Sequence, residues 1–302
     1  VPVDAQILLD SAFAEGFELA GLTPALPHPD HARHISWVNR GLAAGMSYLT
    51  DHRAQVRQDP RLIFPEAQTI LCVGKLYNTP GPPDPAISRY AWGTRDYHDV
   101  LGVGLHRVAT RLKTKLNHDF PYRVAVDTAP LLERSYAREA GLGWIGKNTC
   151  LINEPKGSWF FLGELLLPFE ATTYGSPPPD RCGTCTSCID ACPTKAIVDG
   201  EVDSNLCISY WTIEAKTEAP AEIKQAFGHH LFGCDICQDV CPWNRRAPET
   251  NEASFQAVNV NPPLEELTEE QFKLRFRKTP VARTKASGYN RNVRVALENR
   301  PK

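Results

Sequence analysis

Apolar residues recur at helical spacing over residues 4–22 and 31–53, with polar residues between them, and both stretches predict amphipathic helices. QTILCVGKLY (68–77) is instead a short, nearly continuous apolar run, the pattern of a buried strand. A proline-rich turn, PGPPDP (80–85), follows, and residues 87–116 predict a long helix. YRVAVD (122–127) reads as a second strand, and LLERSYAREA (131–140) as a helix of good formers without Gly or Pro. TCLIN and SWFFLGELLLP read as two more strands. This alternation predicts an α/β or α+β domain to about residue 170. YGSPPPD (174–180) is a linker by composition, and the cysteine-rich part of the chain comes after it.

At 302 residues the chain exceeds one average core, so two or three domains are expected. With 42% hydrophobic and 23% charged residues it is globular in composition. No apolar run reaches the roughly 20 residues of a transmembrane helix. The N-terminal stretch lacks the basic start and apolar centre of a signal peptide, so a cytoplasmic location is expected. It also lacks an initiator Met, which reads as a removed or replaced residue or short segment. Net charge is only −2, but residues 272–302 carry ten Lys or Arg against a single acid, Glu298. An acidic body with a basic tail is a footprint of a polyanion partner, the alternative being a solvated helical face. The end of the chain, NVRVALEN, has helical spacing and reads as if a helical region continued beyond it.

Residues 141–148, GLGWIGKN, contain the letters of a dinucleotide-binding turn. That fingerprint needs a strand running into its first glycine and a helix after its last. Here a helix precedes the glycines, so Gly141 reads as a helix-ending residue in a left-handed conformation, and no dinucleotide is expected.

Eight of the ten cysteines lie between residues 182 and 241. Cys182, Cys185, Cys188 and Cys192, followed by Pro193, reproduce the bacterial ferredoxin run. The second group is Cys207, Cys234, Cys237 and Cys241, followed by Pro242. In two-cluster ferredoxins the fourth cysteine of the run serves the other cluster. This swap predicts one [4Fe–4S] cluster on Cys182, Cys185, Cys188 and Cys241, and a second on Cys192, Cys207, Cys234 and Cys237. Zinc ribbons do not use this run, and disulfides are disfavoured without a secretory signal. Cys72 and Cys150 fall in predicted strands and read as inert core thiols.

Five stretches together resemble one family: ISRYAWGTRDYHDVL (87–101), VDTAPLLERSYAREAGLGWIGKN (126–148), CGTCTSCIDACPTKAI (182–197), CISYWTIE (207–214) and HHLFGCDICQDVCPWN (229–244). They are similar to the epoxyqueuosine reductases, cobalamin-dependent iron–sulfur enzymes related to the reductive dehalogenases. The resemblance implies an α+β chain. An N-terminal α/β cobalamin-binding domain (1–173) is followed by a ferredoxin-like domain with two clusters (174–250) and a short basic helical segment (251–302). It implies reduction of epoxyqueuosine to queuosine in tRNA by cob(I)alamin, fed by the clusters from an external electron donor, in a monomeric enzyme independent of membranes. Its rivals are a reductive dehalogenase-like enzyme acting on a small molecule and a ferredoxin-like electron carrier.

The resemblance also implies site residues. Asp127 matches the family's proposed proton donor, with its pKa raised beside the corrin; the competing role is a cap for the following helix. Base-off cobalamin is expected near Gly143 and Gly146, whose missing Cβ atoms would let a flat macrocycle approach. Lys147 and Asn148 would hydrogen-bond its amide or phosphate groups, Lys147 being alternatively a surface charge. Tyr90 and Ser209 are further candidates for the cofactor cleft. His98, in a D-x-H sequence that matches the cobalamin-ligating motif imperfectly, reads as a helix-face residue. Glu133 and Arg134 read as a pair on a helix face, and Ala129 stands where the family has glycine. Lys216, Lys273, Arg275, Arg277, Lys278, Arg283 and Lys285 are expected to meet tRNA phosphates.

Overall fold

The computed structural model describes residues 1–198 and 200–300; Lys302, the last of the ten cationic residues near the C-terminus, lies outside them. Helix α1 (Ala5–Ala14) is capped by Asp4, whose side chain accepts the Gln6 amide, and strand β1 (Leu19–Pro24) follows it. The helix predicted over 4–22 therefore divides at Gly16, which has φ +82° and reverses the chain. The second predicted helix also divides, into α2 (Asp30–Asn39), α3 (Ser47–Thr50) and α4 (His52–Val56). Gly41, at φ +74°, stops α2. Strand β2 (Thr69–Leu76) is as expected, but only Tyr97–Leu116 of the long helix forms, as α5. Asp96 caps it and Asn117 ends it in a left-handed conformation.

Strand β3 (Arg123–Ala125), helix α6 (Glu133–Glu139), the paired strands β4 (Trp144–Ile145) and β5 (Leu151–Ile152), and strand β6 (Phe160–Leu167) complete the first half. The main sheet has the order β1-β2-β6-β3, and every neighbouring pair is antiparallel. The architecture is thus α+β, and the α/β label does not hold for this domain. Alternation of helix and strand along a sequence does not dictate strand direction; here β6 inserts between β2 and β3 and sets both pairings. Both faces are covered. Leu71 and Val73 of β2 join a core with α1 and α5, while Ile70 and Cys72 join a second core with α6. The continuous apolar reading of β2 follows from that double burial.

The cysteine-rich half contains α7 (Ser187–Asp190), the short pair β7 (Ile197–Val198) and β8 (Glu201–Val202), α8 (Ile208–Ile213), α9 (Ala221–Ala226) and α10 (Ile236–Asp239). It is tied to the first half by Trp37, whose Nε1 donates to the Val202 carbonyl at 2.8 Å, and by ion pairs of Arg33 and Arg40 with Glu201. Helices α11 (Glu269–Phe276) and α12 (Lys285–Glu298) end the described chain. They do not form a free tail. Phe272, Phe276, Val281, Tyr289 and Val293 pack with Ile87, Trp92, Leu231 and Phe232 from both earlier parts. Among the described residues no helix is long and apolar enough to cross a membrane.

Candidate active site and cysteine clusters

Asp127 lies just beyond β3, in a loop where its own φ is +54°. It does not cap the helix that follows: α6 begins six residues later, with Leu132 at the cap position. Ala129 needs no glycine, because the left-handed position of this turn is Asp127 itself. The Asp127 side chain is 50% exposed and its Oδ2 lies 3.2 Å from His98 Nε2. His98 Nδ1 lies 2.6 Å from Oδ1 of Asp96, the cap of α5. His98 is therefore part of the site and not a bystander on a helix face. The D-x-H spacing is the signal that points to it: an aspartate at the cap and a histidine two residues on can meet within the first turn.

The electrostatics differ from expectation as well. Burial alone would lower the His98 pKa, but hydrogen bonds to Asp127 and Asp96 raise it to about 9. Burial pushes the Asp127 carboxyl up, yet the His98 hydrogen bond and charge, then Arg283, hold it below the usual carboxylate value. The raised value expected for Asp127 is thus corrected, because the imidazolium beside it reverses the sign. Tyr48 and Tyr90 both feel the Asp127 charge. Burial, then the Glu214 charge, pushes Tyr48 up to about 12, with Arg283 opposing. Tyr90 is raised by burial and then by the Asp127 charge. Glu214, at the end of α8, pairs with Arg283 at 2.7 Å, and Arg283 lies 5.3 Å over the Tyr48 ring. The charges acting around Asp127 thus come from its own loop, from the segment around Tyr48, from the cysteine-bearing part through Glu214, and from the C-terminal segment through Arg283, while the hollow beside the pair is lined by His98, Gly102, Val124, Val126 and Thr128.

GLGWIGKN packs closely against β5. A Cβ on Gly143 would stand 2.2 Å from the Ile152 carbonyl oxygen, and one on Gly146 would stand 2.5 Å from Ile152 Cδ1. The missing side chains make room for β5. Lys147 Nζ donates to the carbonyls of Gly183 and Cys185 at 2.7 and 2.9 Å. Asn148 is buried and donates to the Cys237 carbonyl at 3.2 Å. Both side chains hold cysteine loops in place. Gly141 does end α6, with φ +85°. Glu133 and Arg134 do not pair: Asp127 donates its amide to Glu133 Oε1 at 2.5 Å, and Arg134 donates to the Thr149 carbonyl.

Electrostatic coupling links the cysteines in two sets. Burial pushes the Cys188 thiol up, and Cys182, Cys241 and Cys185 add to the rise. Burial likewise pushes Cys234 up to about 12, with Cys207 and Cys192 among the groups that add to it. Cys237 is raised by burial and then by Cys150, Cys234 and Cys207. Such a concentration of thiols loses its protons only around a strongly cationic group. Among the described residues no three His, Cys, Asp or Glu side chains converge as a single metal ion requires. The sulfurs also receive hydrogen bonds. The amides of Tyr210 and Ser209 point at Cys207, and the Ala196 amide lies 3.3 Å from Cys192 Sγ. Amide donors of this kind tune iron–sulfur clusters, so the donor set fits them. Ser209 thus acts through its backbone beside a cysteine. Cys72 is fully buried in β2, as expected of a core thiol. Cys150 is not in a strand but just before β5, with Cys241, Cys188 and Cys237 for neighbours.

Of the basic residues, Lys216, Lys273, Arg275, Arg277, Lys278 and Lys285 are exposed. Arg283 is partly neutralised by Glu214. Arg291 is buried and donates to the carbonyls of Trp211, Ala215 and Thr217, so it is a structural cation.

Two family models match the chain: a 4Fe-4S double cluster binding domain over residues 181–244, and epoxyqueuosine reductase QueG, DUF1730, over residues 57–128. An epoxyqueuosine reductase of Leadbetterella byssophila is 40% identical over 290 residues, covering 94% of this chain and 95% of that protein. The crystal structure of an epoxyqueuosine reductase with an epoxyqueuosine-modified tRNA-Tyr stem loop has a TM-score of 0.87 at 30% identity, covering 97% of this chain and 80% of that one. A Bacillus subtilis epoxyqueuosine reductase, with its catalytic aspartate loop swung out of the active site, has a TM-score of 0.86 at 28% identity, over 97% of this chain and 81% of that one. On this near full-length identity to a relative of similar size, the chain belongs to the epoxyqueuosine reductase family.

Proposed function

We propose that this chain reduces epoxyqueuosine to queuosine in tRNA, in the cytoplasm, with Asp127 and His98 managing the proton. The observation that carries this reading is the charged pair of Asp127 and His98 at 3.2 Å, with His98 lining a surface hollow. An epoxide oxygen leaves as water only with two electrons and two protons, so a proton held at the groove has a definite use. With His98 raised to about 9, the pair holds that proton at neutral pH. Asp127, the more exposed of the two, presents its carboxylate to the groove, and His98, steadied by Asp96, carries the positive charge. The Bacillus subtilis relative supports a mobile loop at this position, and the turn at Asp127 is where this chain would move.

The two cysteine sets would each hold one [4Fe–4S] cluster: Cys182, Cys185, Cys188 and Cys241 in one, Cys192, Cys207, Cys234 and Cys237 in the other. Cys185 is exposed, so electrons from an external donor would enter at the first set and pass to the second, whose Cys207 begins α8. Base-off cobalamin, which the family implies, would lie in the groove against Tyr48, Tyr90, Asp127 and Arg283, and not against residues 143–148. When bound, the clusters relay single electrons and the corrinoid supplies the reducing centre that the C–O bond requires. Lys216, Lys273, Arg275, Arg277, Lys278 and Lys285 would contact tRNA phosphates, and Arg283 would line the cleft that receives the base. The domains 1–173 and 174–250 are the working division, with 251–302 bracing both.

The test is Asp127→Asn in protein loaded with iron and cobalamin, assayed on epoxyqueuosine-tRNA. Turnover should fall by about 10²- to 10⁴-fold with both cofactor contents unchanged. Wild-type turnover in that variant would sink the assignment.

A further inference from the structure

The Asp127 conformation needs something to hold it. Its φ of +54° is a region that residues with a Cβ avoid, and its carboxylate is the half-exposed member of the pair with His98. The turn is tight: Thr128 donates its amide to the Val126 carbonyl at 2.5 Å. The amide of Asp127 points the other way, donating to Glu133 Oε1 at 2.5 Å. Glu133 is the first residue of α6, and no side chain caps that helix. An acid there ordinarily serves its own helix terminus. This one reaches back six residues to the loop.

Behind Glu133 lies Glu164, on β6 and in register with Cys72 of β2 and Ala125 of β3. Glu164 is 0% exposed, and neither of its oxygens has a hydrogen-bond partner among the described residues. A bare carboxylate at that depth would be costly, so Glu164 keeps its proton; burial is the main cause and the adjacent Glu133 charge adds to it. Burial, then the Asp127 charge, raises Glu133 as well, to about 7, with the Asp127 amide favouring its carboxylate. Nothing in the established reaction uses either glutamate directly.

We propose that Glu133, at the start of α6, is the tether that holds the Asp127 loop in its left-handed, His98-facing conformation. Glu133 is thereby a positioning residue, and the proposal rests on the reading of Asp127 as the group that delivers the proton.

The test compares Glu133→Ala, Glu133→Gln, Asp127→Asn and the double variant Asp127→Asn/Glu133→Ala, all as full-length, cofactor-loaded protein. Two quantities are read: kcat and KM on an epoxyqueuosine-modified stem loop, and amide hydrogen exchange across residues 126–132. Glu133→Ala should lower kcat roughly tenfold to a hundredfold, the loss of one hydrogen bond to a charged group, with KM almost unmoved. Its loop amides should exchange faster. Glu133→Gln keeps an acceptor oxygen and should recover most of the rate. The double variant should be no slower than Asp127→Asn alone. Wild-type kcat and wild-type exchange in Glu133→Ala would overturn the tether while leaving the Asp127 reading intact. Full activity of Asp127→Asn would remove the donor reading instead, and the exchange data would still judge the tether. Should Glu133→Ala not fold, Glu133→Asp, with one methylene fewer, takes its place; unchanged exchange there counts against the tether equally.

Discussion

His98 changes the chemistry available to Asp127. Alone beside an apolar cofactor, a carboxyl would keep its proton; next to an imidazolium held by Asp96 it is ionised, and the transferable proton belongs to the pair. The groups facing His98 are Asp96 and Asp127, so its raised pKa has a direct kinetic consequence. Activity should decline as pH rises through about 9, where His98 loses its proton, and this limb should be absent in His98→Gln. The sign for stability is the same. A group whose folded pKa is raised contributes stability in full below its ordinary value of 6.5, and that contribution disappears as pH climbs through about 9. Thermal unfolding of wild type and His98→Gln across that window checks it. None of this is legible in the D-x-H letters alone, because Asp127 joins His98 from 29 residues away.

Among the elements, the β4–β5 pair is the clearest case of a motif whose role follows from what it packs on. Trp144 and Ile152 form a small core with Cys241, with Cys182 and Trp243 against it, and Lys147 and Asn148 bond the adjoining cysteine loops. Residues 141–148 therefore brace the iron–sulfur half. Replacing Gly143 with Ala would set a Cβ 2.2 Å from the Ile152 carbonyl and force β4 and β5 apart. We expect a loss of about 1–3 kcal/mol in stability, measurable by denaturant unfolding, together with reduced iron retention. Unchanged stability with weakened cobalamin binding would instead restore the cofactor-loop reading. The glycine spacing identifies a place of close approach correctly in kind, but spacing does not name the partner that approaches.

For the whole molecule, the C-terminal segment is structural before it is electrostatic. Asn292, fully buried, donates to the carbonyls of Thr212 and Leu231, and Arg291 ties α12 to residues 211–217. Deleting it would disturb α8 and the groove, so charge substitutions test its tRNA role more cleanly than truncation. Lys273→Gln, Arg275→Gln, Arg277→Gln and Lys278→Gln combined should weaken tRNA binding and make its salt dependence shallower. The log–log slope should fall by about 0.7 to 0.9 for each phosphate that the protein no longer neutralises. An unchanged slope would place the tRNA elsewhere. Cysteine spacing is enough to announce two clusters and to suggest which thiols belong together, because such ligands are set by short loops and their intervals survive in the letters. The buried strand β2, the helix-ending Gly141 and the family motifs are local in the same sense. The antiparallel order of the sheet, the meetings of His98 with Asp127 and of Arg283 with Glu214, the hydrogen bond of Glu133 with Asp127, and the packing of the basic segment were decided only by the tertiary fold. Each depends on which distant residues burial and hydrogen bonding bring together, and neither periodicity nor spacing records that.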